Sequence, residues 1–277
     1  MSKDELILVT GGTGGLGRRV VARLCQAERK VRVISRRTHE PVSGIEYLVG
    51  DLAKNVGVDS AVEGATIVVH CAGTGKIKED TAQAENLVSA AKRSGVRHLV
   101  SISVVGADRI PVKSVVDRAM FAYFASQRAK EVVVAEAGTP WTNLRATQFH
   151  DGFILVMVSA MAKLPVVLLP AGFKFQPIDA DEVADKLVEL ALGAPAGQVP
   201  DMAGPKIHEA EHLLRSYLAA TGRKRSIVRV SMPGAAAAAI RAGANLAPDR
   251  AVGRRTWEDF LSSMVAGTRP RLAGTGS

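Results

Sequence analysis

Glycines at 11, 14 and 17 close the apolar run Leu6-Ile-Leu-Val-Thr10, and Arg18 to Ala27 then carry a helical pattern. A strand, a tight glycine turn and a helix start in that order suit a pyrophosphate. The first glycine lets the chain turn, the second lets backbone approach phosphate without a Cβ in the way, and the third lets helix pack on strand. The helix N-terminus adds free N–H groups and a partial positive charge. A second strand, Val31 to Ser35, arrives at the distance such a unit requires. The competing reading is a glycine turn with no ligand.

The exit of that second strand bears on which dinucleotide. An acidic residue about 20 positions after the glycines would hold a ribose 2′-hydroxyl. Here the chain reads Ser35-Arg36-Arg37. Two guanidiniums suit a 2′-phosphate through forked, charged hydrogen bonds, so NADP(H) is favoured over NAD(H), with Arg36 the better placed of the two. The alternative is a pair of solvated residues at a strand end.

These residues need a scaffold, and the chain is long enough for one. Its 277 residues can bury a large core. Short, nearly all-apolar strand candidates at 5–9, 31–35, 46–49, 65–70, 97–102 and 141–145 alternate with helix candidates at 15–27, 54–62, 79–94 and 113–137. That alternation predicts an α/β fold, a doubly wound parallel sheet covered on both faces, in residues 1–150. Ligands of such sheets sit beyond the carboxyl ends of the strands. From 151 the regularity breaks. A helix over 151–162, a strand near 198–202 and helices near 180, 209–220, 234–246 and 254–266 predict a smaller mixed substrate lobe over 151–277, interleaved with the first unit and returning a strand to its sheet. Gly267 to Ser277 is expected to fray.

Composition narrows the class. Thirty-six basic against 27 acidic residues give a net charge of +9, and residues 201–277 hold 12 basic against 6 acidic. Those arginines are scattered, without aromatic interleaving, so no specific nucleic-acid partner is expected. Cys25 and Cys71 form no disulfide framework and fit a reducing compartment, the cytoplasm. Met1 to Glu5 leads straight into the first strand, which argues against a signal peptide. The longest apolar run, Gly152 to Ala162, is too short to span a bilayer. His98, His208 and His212 show no metal spacing with partners and there is no Cys/His cluster, so no metal is expected.

Thr10-Gly-Gly-Thr-Gly-Gly-Leu-Gly17, Val68-Val-His-Cys-Ala-Gly73 and Val100-Ser-Ile-Ser-Val-Val-Gly106 resemble the short-chain dehydrogenase/reductase superfamily in its extended or atypical form. Leu144-Arg-Ala-Thr-Gln-Phe149 and Gln176-Pro-Ile-Asp-Ala-Asp-Glu-Val-Ala184 are similar to its NmrA-like branch. The resemblance implies a Rossmann fold with Gly11, Thr13, Gly14, Gly15, Leu16 and Gly17 around the pyrophosphate. It places Asp51 and Leu52 at the adenine, and Cys71, Ala72 and Gly73 along the ribose. Ser103 falls at the active-site serine position. Ala146 to Phe149 would pass the nicotinamide, and Gln148, Phe149 and His150 would meet substrate. On the residues alone, Asp51 reads equally well as a turn residue and Ser103 as a strand-end hydroxyl bonded to its own backbone.

One departure from the superfamily matters. Its reductases place Tyr four residues before Lys on one helix, where the ammonium lowers the phenol pKa for proton transfer. Lys130 is present, but Ser126 stands four residues back and Tyr123 seven back, about 10 Å away along a helix axis. Tyr123 and His70 read as packing residues. The resemblance therefore implies an NADP(H)-binding atypical reductase passing hydride to a small carbonyl, quinone or similar acceptor, with Lys130 on the ribose hydroxyls and assisting protonation together with Ser103. The apolar helix after residue 150 suits a cyclic or aromatic small-molecule substrate. The alternative, favoured by Ser126, is a non-catalytic redox sensor that binds the cofactor and signals through a protein partner.

Overall fold

The computed structural model describes residues 5–268. In chain order the first part runs β1 (Leu6–Thr10), α1 (Gly15–Gln26), β2 (Lys30–Ser35), β3 (Ile45–Val49), α2 (Val58–Val62), β4 (Ala65–His70), α3 (Ile77–Arg93), β5 (His98–Val104), α4 (Val115–Ala135) and β6 (Trp141–Ala146). A π-helical turn, His150–Ile154, leads into α5 (Leu155–Met161), β7 (Val166–Pro170), β8 (Lys174–Phe175), α6 (Ala180–Leu192) and β9 (Gly197–Gln198). The chain closes with β10 (His208–Glu209), α7 (Ala210–Ala220), β11 (Ser226–Val230), α8 (Ala235–Arg241) and α9 (Trp257–Thr268). Of the tail expected to fray, Gly267 and Thr268 still belong to α9, and residues 269–277 lie outside the described residues.

Seven strands form one sheet in the order β3-β2-β1-β4-β5-β6-β9. Every neighbouring pair in it is parallel. This is a doubly wound Rossmann-like α/β fold whose strand order reverses between β1 and β4. Its inner strands β1, β4 and β5 are buried on both faces, while β3 and β9 form its more exposed edges. Ile7 and Val9 join α1 and α6 in one core, while Leu8 and Val68 join α2 and α3 in the other. That is why the inner strands read as continuous apolar runs. A third core lies outside the sheet, where α5, β7, α7, α8 and α9 pack around Phe173, Trp257 and Leu213.

The chain does not part cleanly after residue 150. Helix α6 packs into the core of β1 and α1 through Val183, Ala184 and Leu187. Strand β9 joins the sheet beside β6. Arg19 on α1 bonds Asp151 at 2.6 Å and Asp181 at 3.0 Å, and Arg23 bonds Asp181 and Asp185. Asp179 caps α6, accepting from the Asp181 N–H at 2.7 Å.

Several boundaries differ from expectation, each for a local reason. The helix expected over 54–62 begins only at Val58, because Asp51 and Val56 exchange backbone hydrogen bonds and Gly57 turns the chain with φ +67°. The helix expected over 234–246 stops at Arg241, two residues before Gly243 with φ +86°. The strand expected at 198–202 pairs at Gly197–Gln198 and touches the sheet again at Met202. Strand β11, parallel to β7, has no counterpart among the strand candidates. It is half-exposed and edge-like, so it carries little apolar signal.

The glycine turn divides sharply by position. A Cβ on Gly17 would lie 2.0 Å from the Gly11 carbonyl oxygen, a backbone atom that cannot swing away, whereas a Cβ on Gly15 meets nothing within 4 Å. Gly17→Ala is therefore expected to lower stability by more than about 2 kcal/mol, and Gly15→Ala to leave it within about 0.5 kcal/mol. Urea unfolding of the two variants checks this, and equal midpoints would show that α1 does not depend on that close approach.

Candidate functional site

Parallel register brings the informative residues to one edge. Thr10 pairs with Ile34 and His70, His70 with Ser101, and Ser103 with Arg145. The residues beyond these strands thus emerge side by side: the glycine turn after β1, Arg36 and Arg37 after β2, Asp51 and Leu52 after β3, Cys71 to Gly73 after β4, Ser103 near the end of β5, and Thr147 to Phe149 after β6. Gly11 sits so close to Cys71 and Ala72 that an added Cβ would be 2.7 Å from the Ala72 nitrogen. Gly14 opens α1 with no side-chain cap. The first N–H groups of α1 are thus left for a ligand at the switch point.

Below this edge lies a cavity of about 650 Å³. Leu16, Cys71, Ala72, Gly73, Ser103, Lys130, Gln148 and Phe149 all line it. The rest of the wall is mostly apolar: Phe121, Phe124, Met157, Phe173 and Phe175, with Met120, Phe153 and Val156 exposed at the mouth. Phe153, Val156 and Met157 belong to the apolar segment 151–162 that the sequence assigns to a substrate pocket, whereas Met120, Phe121 and Phe124 on α4 are not singled out by it, because apolar side chains on a helix read as core.

Lys130 is 2% exposed. Burial pulls its amine down from the ordinary 10.5 to about 8, against the opposing pull of the Asp80 and Glu131 carboxylates. The burial penalty on folding is fully present below pH 8 and fades as pH rises from there toward 10.5. Its carrier, α4, is fixed by the next residue. Glu131 forms a two-pronged pair with Arg145 on β6, both contacts 2.7 Å, and Arg145 also reaches Asp108 at 2.8 Å. The Arg145 hydrogen bonds hold the Glu131 carboxyl below the usual range despite burial, with Ser103 contributing. Ser103 lines the cavity, but its hydroxyl oxygen is shielded from solvent and lies toward Glu131 without a hydrogen bond of good geometry.

Asp80, in the first turn of α3, is the residue the sequence hides. An acidic residue there reads as a complement to the helix dipole. It is 1% exposed and accepts from Thr74 N–H at 2.6 Å, Thr74 Oγ1 at 2.9 Å and Gly75 N–H at 2.9 Å. It also accepts from the Ser126 hydroxyl. Asp80 therefore ties the loop after β4 to the helix of Lys130. Ser126, at the position where a tyrosine would stand, is fully buried and committed to this carboxylate.

Other expected residues fall differently. His150 is not part of the cavity. The π-helical turn swings its ring onto Phe260, 5.5 Å between centroids, and Trp257, 6.2 Å, and burial holds it neutral at about 4. Gln148 lines the cavity, but its amide is turned to backbone at Asn245 and Gln176. Asp51 accepts from the N–H groups of Ala53 and Lys54, the turn role. Leu52 is buried against Ile34 and Val58. Arg36 and Arg37 are exposed, and among the described residues neither guanidinium has an ion-pair partner. His39, not singled out by the sequence, bonds Ser35 at 2.8 Å and stacks on Tyr47 beside them.

Tyr123 is half-exposed at the cavity rather than packed at a core edge. Desolvation and the Asp80 charge push its phenol up to about 12, the wrong direction for a proton donor. Cys71 is pushed up to about 12 by burial, so its thiol stays protonated. His70 bonds Thr10 at 2.7 Å and is held neutral, near 3, by burial and by Lys130. One expectation needs correction: His208 and His212 do have a partner, since Glu258 converges on them from α9.

A family model described as NAD(P)H-binding matches residues 11–191. An enzyme of Streptomyces griseus, (4-alkanoyl-5-oxo-2,5-dihydrofuran-3-yl)methyl phosphate reductase, is 31% identical over 147 residues, 52% of this chain. The match spans about half of that relative's own length, 48%. An NAD(P)H azoreductase of Xenophilus azovorans is 26% identical over 82% of this chain and 78% of its own. Among solved structures, an NADPH-dependent quinone oxidoreductase from Escherichia coli in complex with NADPH superposes with a TM-score of 0.75. It covers 93% of this chain and 99% of its own at 18% identity, a likeness of fold. No helix among the described residues is long and apolar enough to cross a membrane.

Removing the Asp80 charge should lower the Lys130 midpoint below 8, because that carboxylate stabilises the ammonium. Asp80→Asn should also lose about 1–3 kcal/mol of stability at pH 7 as charged hydrogen bonds weaken. Lysine-selective NMR titration reads the first effect and denaturant unfolding the second. An unchanged Lys130 midpoint would mean that the two groups do not interact.

Proposed function

The chain belongs to the NAD(P)H-binding family, and on that premise we propose that it is an NADPH-dependent reductase of quinones, azo dyes or similar small conjugated acceptors. The observation that carries this reading is the buried Lys130 amine in an apolar cavity that opens beside the glycine turn. The residues fit the cofactor. Gly11 and Gly17 let the turn pack backbone against backbone, Gly15 opens onto free space, the α1 N-terminus is uncapped, and the Arg36 and Arg37 guanidiniums are exposed after β2, which suits a 2′-phosphate.

Hydride donation is the chemistry that a reduced nicotinamide supplies when bound. The chain's own part is binding, orientation and proton supply. Leu16, Ala72 and Phe149 shape the floor of the cavity and keep water from the reacting face. Lys130 holds ribose hydroxyls by its ammonium and, with a pKa near 8, can release a proton toward a reduced acceptor. Ser126 cannot share that task, since its hydroxyl already serves Asp80. Acceptors that need little enzymic protonation are therefore favoured over ketones, and secondary-alcohol oxidation should be weak. The basic residues of the last quarter do not argue for a nucleic-acid partner. Arg215 and Arg229 pair with Glu211, and Arg255 with Asp179.

A second reading, the cofactor-binding sensor, is favoured by one observation: the committed Ser126 in the place of a phenol. Steady-state oxidation of NADPH with a panel of quinones, azo dyes and aldehydes separates the two. Turnover with quinones or dyes that falls at least about a hundredfold in Lys130→Met supports the enzyme. Tight binding with no turnover across the panel would overturn it in favour of the sensor.

Cofactor choice is checked by binding. NADPH should bind more tightly than NADH, and Arg36→Ala should weaken NADPH by about 1.5–3 kcal/mol while leaving NADH nearly unchanged. Equal dissociation constants in the wild type would refute the 2′-phosphate role. Wild-type affinity for NADPH should also weaken as pH rises through about 8, where Lys130 loses its charge.

A further inference from the structure

Away from the cavity edge, three side chains with metal-binding atoms meet. His208 opens β10, His212 lies in the first turn of α7, and Glu258 lies in the first turn of α9. Their donor atoms all fall within 4.8 Å of one another. His212 Nε2 is 3.3 Å and His208 Nδ1 3.9 Å from the same Glu258 oxygen. Two ligand atoms on a tetrahedral zinc ion, each about 2.0–2.1 Å from it, lie about 3.3 Å apart. The two histidine-to-carboxylate distances are within about 0.6 Å of that spacing, and a separation within 4.8 Å leaves the two imidazoles at most about 1.5 Å to close. We propose that His208, His212 and Glu258 form a site for a divalent transition-metal ion, zinc by ligand chemistry, with one coordination position left for water.

Several features support the site. The two imidazoles stack with centroids 5.1 Å apart and planes within 11°, so both edges face the carboxylate. His208 is 8% exposed and its pKa is lowered by burial, which favours the neutral ring that a metal requires. Glu258 is held below its usual range, hence ionised. Its second oxygen is shielded from solvent and makes no hydrogen bond. Two imidazoles and a carboxylate are a donor set that suits zinc. The supporting elements are fixed independently. Trp257, beside Glu258, donates from Nε1 to Ser216 on α7 at 2.8 Å. Lys206 is a nearby cation that opposes an ion there, since its charge acts on both His208 and Glu258.

The segment His208-Glu-Ala-Glu-His212 has the His-Glu-x-x-His spacing that, on one continuous helix, supports metal-dependent hydrolysis with the Glu as base. Here the helix begins only at Ala210, and Glu209 is extended, with φ −61° and ψ 142°. Its carboxylate lies 3.7 Å from Lys174 across the β8–β10 pair. Glu209 is thus engaged elsewhere and not available as the base, so the site binds metal without hydrolytic function. Its effect is to clamp α9 onto the β10–α7 junction. Ala210, one residue past β10, and Phe175, paired with His208, both line the large cavity, so the clamp braces that wall.

The test uses the untagged full chain after chelator treatment and dialysis, titrated with zinc chloride by calorimetry. One equivalent should bind with a dissociation constant below about 10 µM, and the melting temperature should rise by several degrees with excess zinc. His212→Ala and Glu258→Gln, both at exposed positions, should each weaken zinc at least about tenfold and abolish the thermal shift, while melting like the wild type without metal. Cobalt titration gives a second readout, a tetrahedral visible absorption band that both variants should lose. Absence of saturable zinc binding, or binding undiminished in both variants, overturns the proposal. Neither outcome depends on whether the cavity is a reductase site.

Discussion

An ammonium that is 2% exposed in an apolar cavity opposes folding unless charge is brought to it. Lys130 retains a penalty of about 3 kcal/mol even so, the equivalent of moving from 10.5 to about 8. Much of the local architecture follows from limiting that penalty. Asp80 supplies the opposite charge, and Asp80 in turn must be satisfied. It draws the Thr74 and Gly75 amides and the Ser126 hydroxyl around itself, which fixes the loop leaving the switch point. Glu131 supplies a second negative charge and is anchored by the Arg145 fork to β6. A lysine buried at such expense, in a cavity and not in a core, is better explained by chemistry than by stability.

The two halves of the site are held together by a different means. The glycine turn depends on backbone packed on backbone, with Gly11 against Ala72 and Gly17 against Gly11. The lobe that walls the cavity depends on α6 returning to the first core, and on Arg19 and Arg23 reaching across to Asp151, Asp181 and Asp185. These contacts set the spacing between a rigid phosphate-sized cradle and a more adaptable apolar wall rich in Met and Phe. Methionine-lined walls accept ligands of varied shape. Under the reductase reading proposed above, acceptor choice resides in the lobe and cofactor binding in the sheet edge.

What can be read from the sequence follows the physics of each element. Inner parallel strands buried on both faces leave unbroken apolar runs, so β1, β4 and β5 and the glycine turn are legible to within about two residues, and even the more exposed edge strand β3 keeps enough apolar residues to be read. Strand β11, with one side to solvent, leaves no such run. His150 is misplaced because it directly follows Gln148 and Phe149 in the chain, whereas the π-helical turn rotates its ring toward Phe260. Asp80 is hidden because a carboxylate in a first helical turn has an ordinary explanation. Glu258 stands 46 residues from His212 in sequence, and no local spacing could join them.

The absence of a phenol at position 126 is coupled to these same contacts. Ser126 is 0% exposed, and its hydroxyl spends its proton on Asp80. A tyrosine ring there would have to displace that carboxylate, or the loop it holds, before its hydroxyl could reach the cavity. The Ser126–Asp80 pair is therefore one solution and a phenol at the same position another, and the intermediate with both a ring and a buried carboxylate is sterically crowded. The adopted solution leaves Lys130 as the titratable donor on α4 that lines the cavity with a pKa near neutrality, because Tyr123 is pushed the other way, by desolvation first and by the Asp80 charge second. A single carboxylate thus orders the loop, sustains the lysine and adds to the desolvation that keeps the neighbouring phenol protonated.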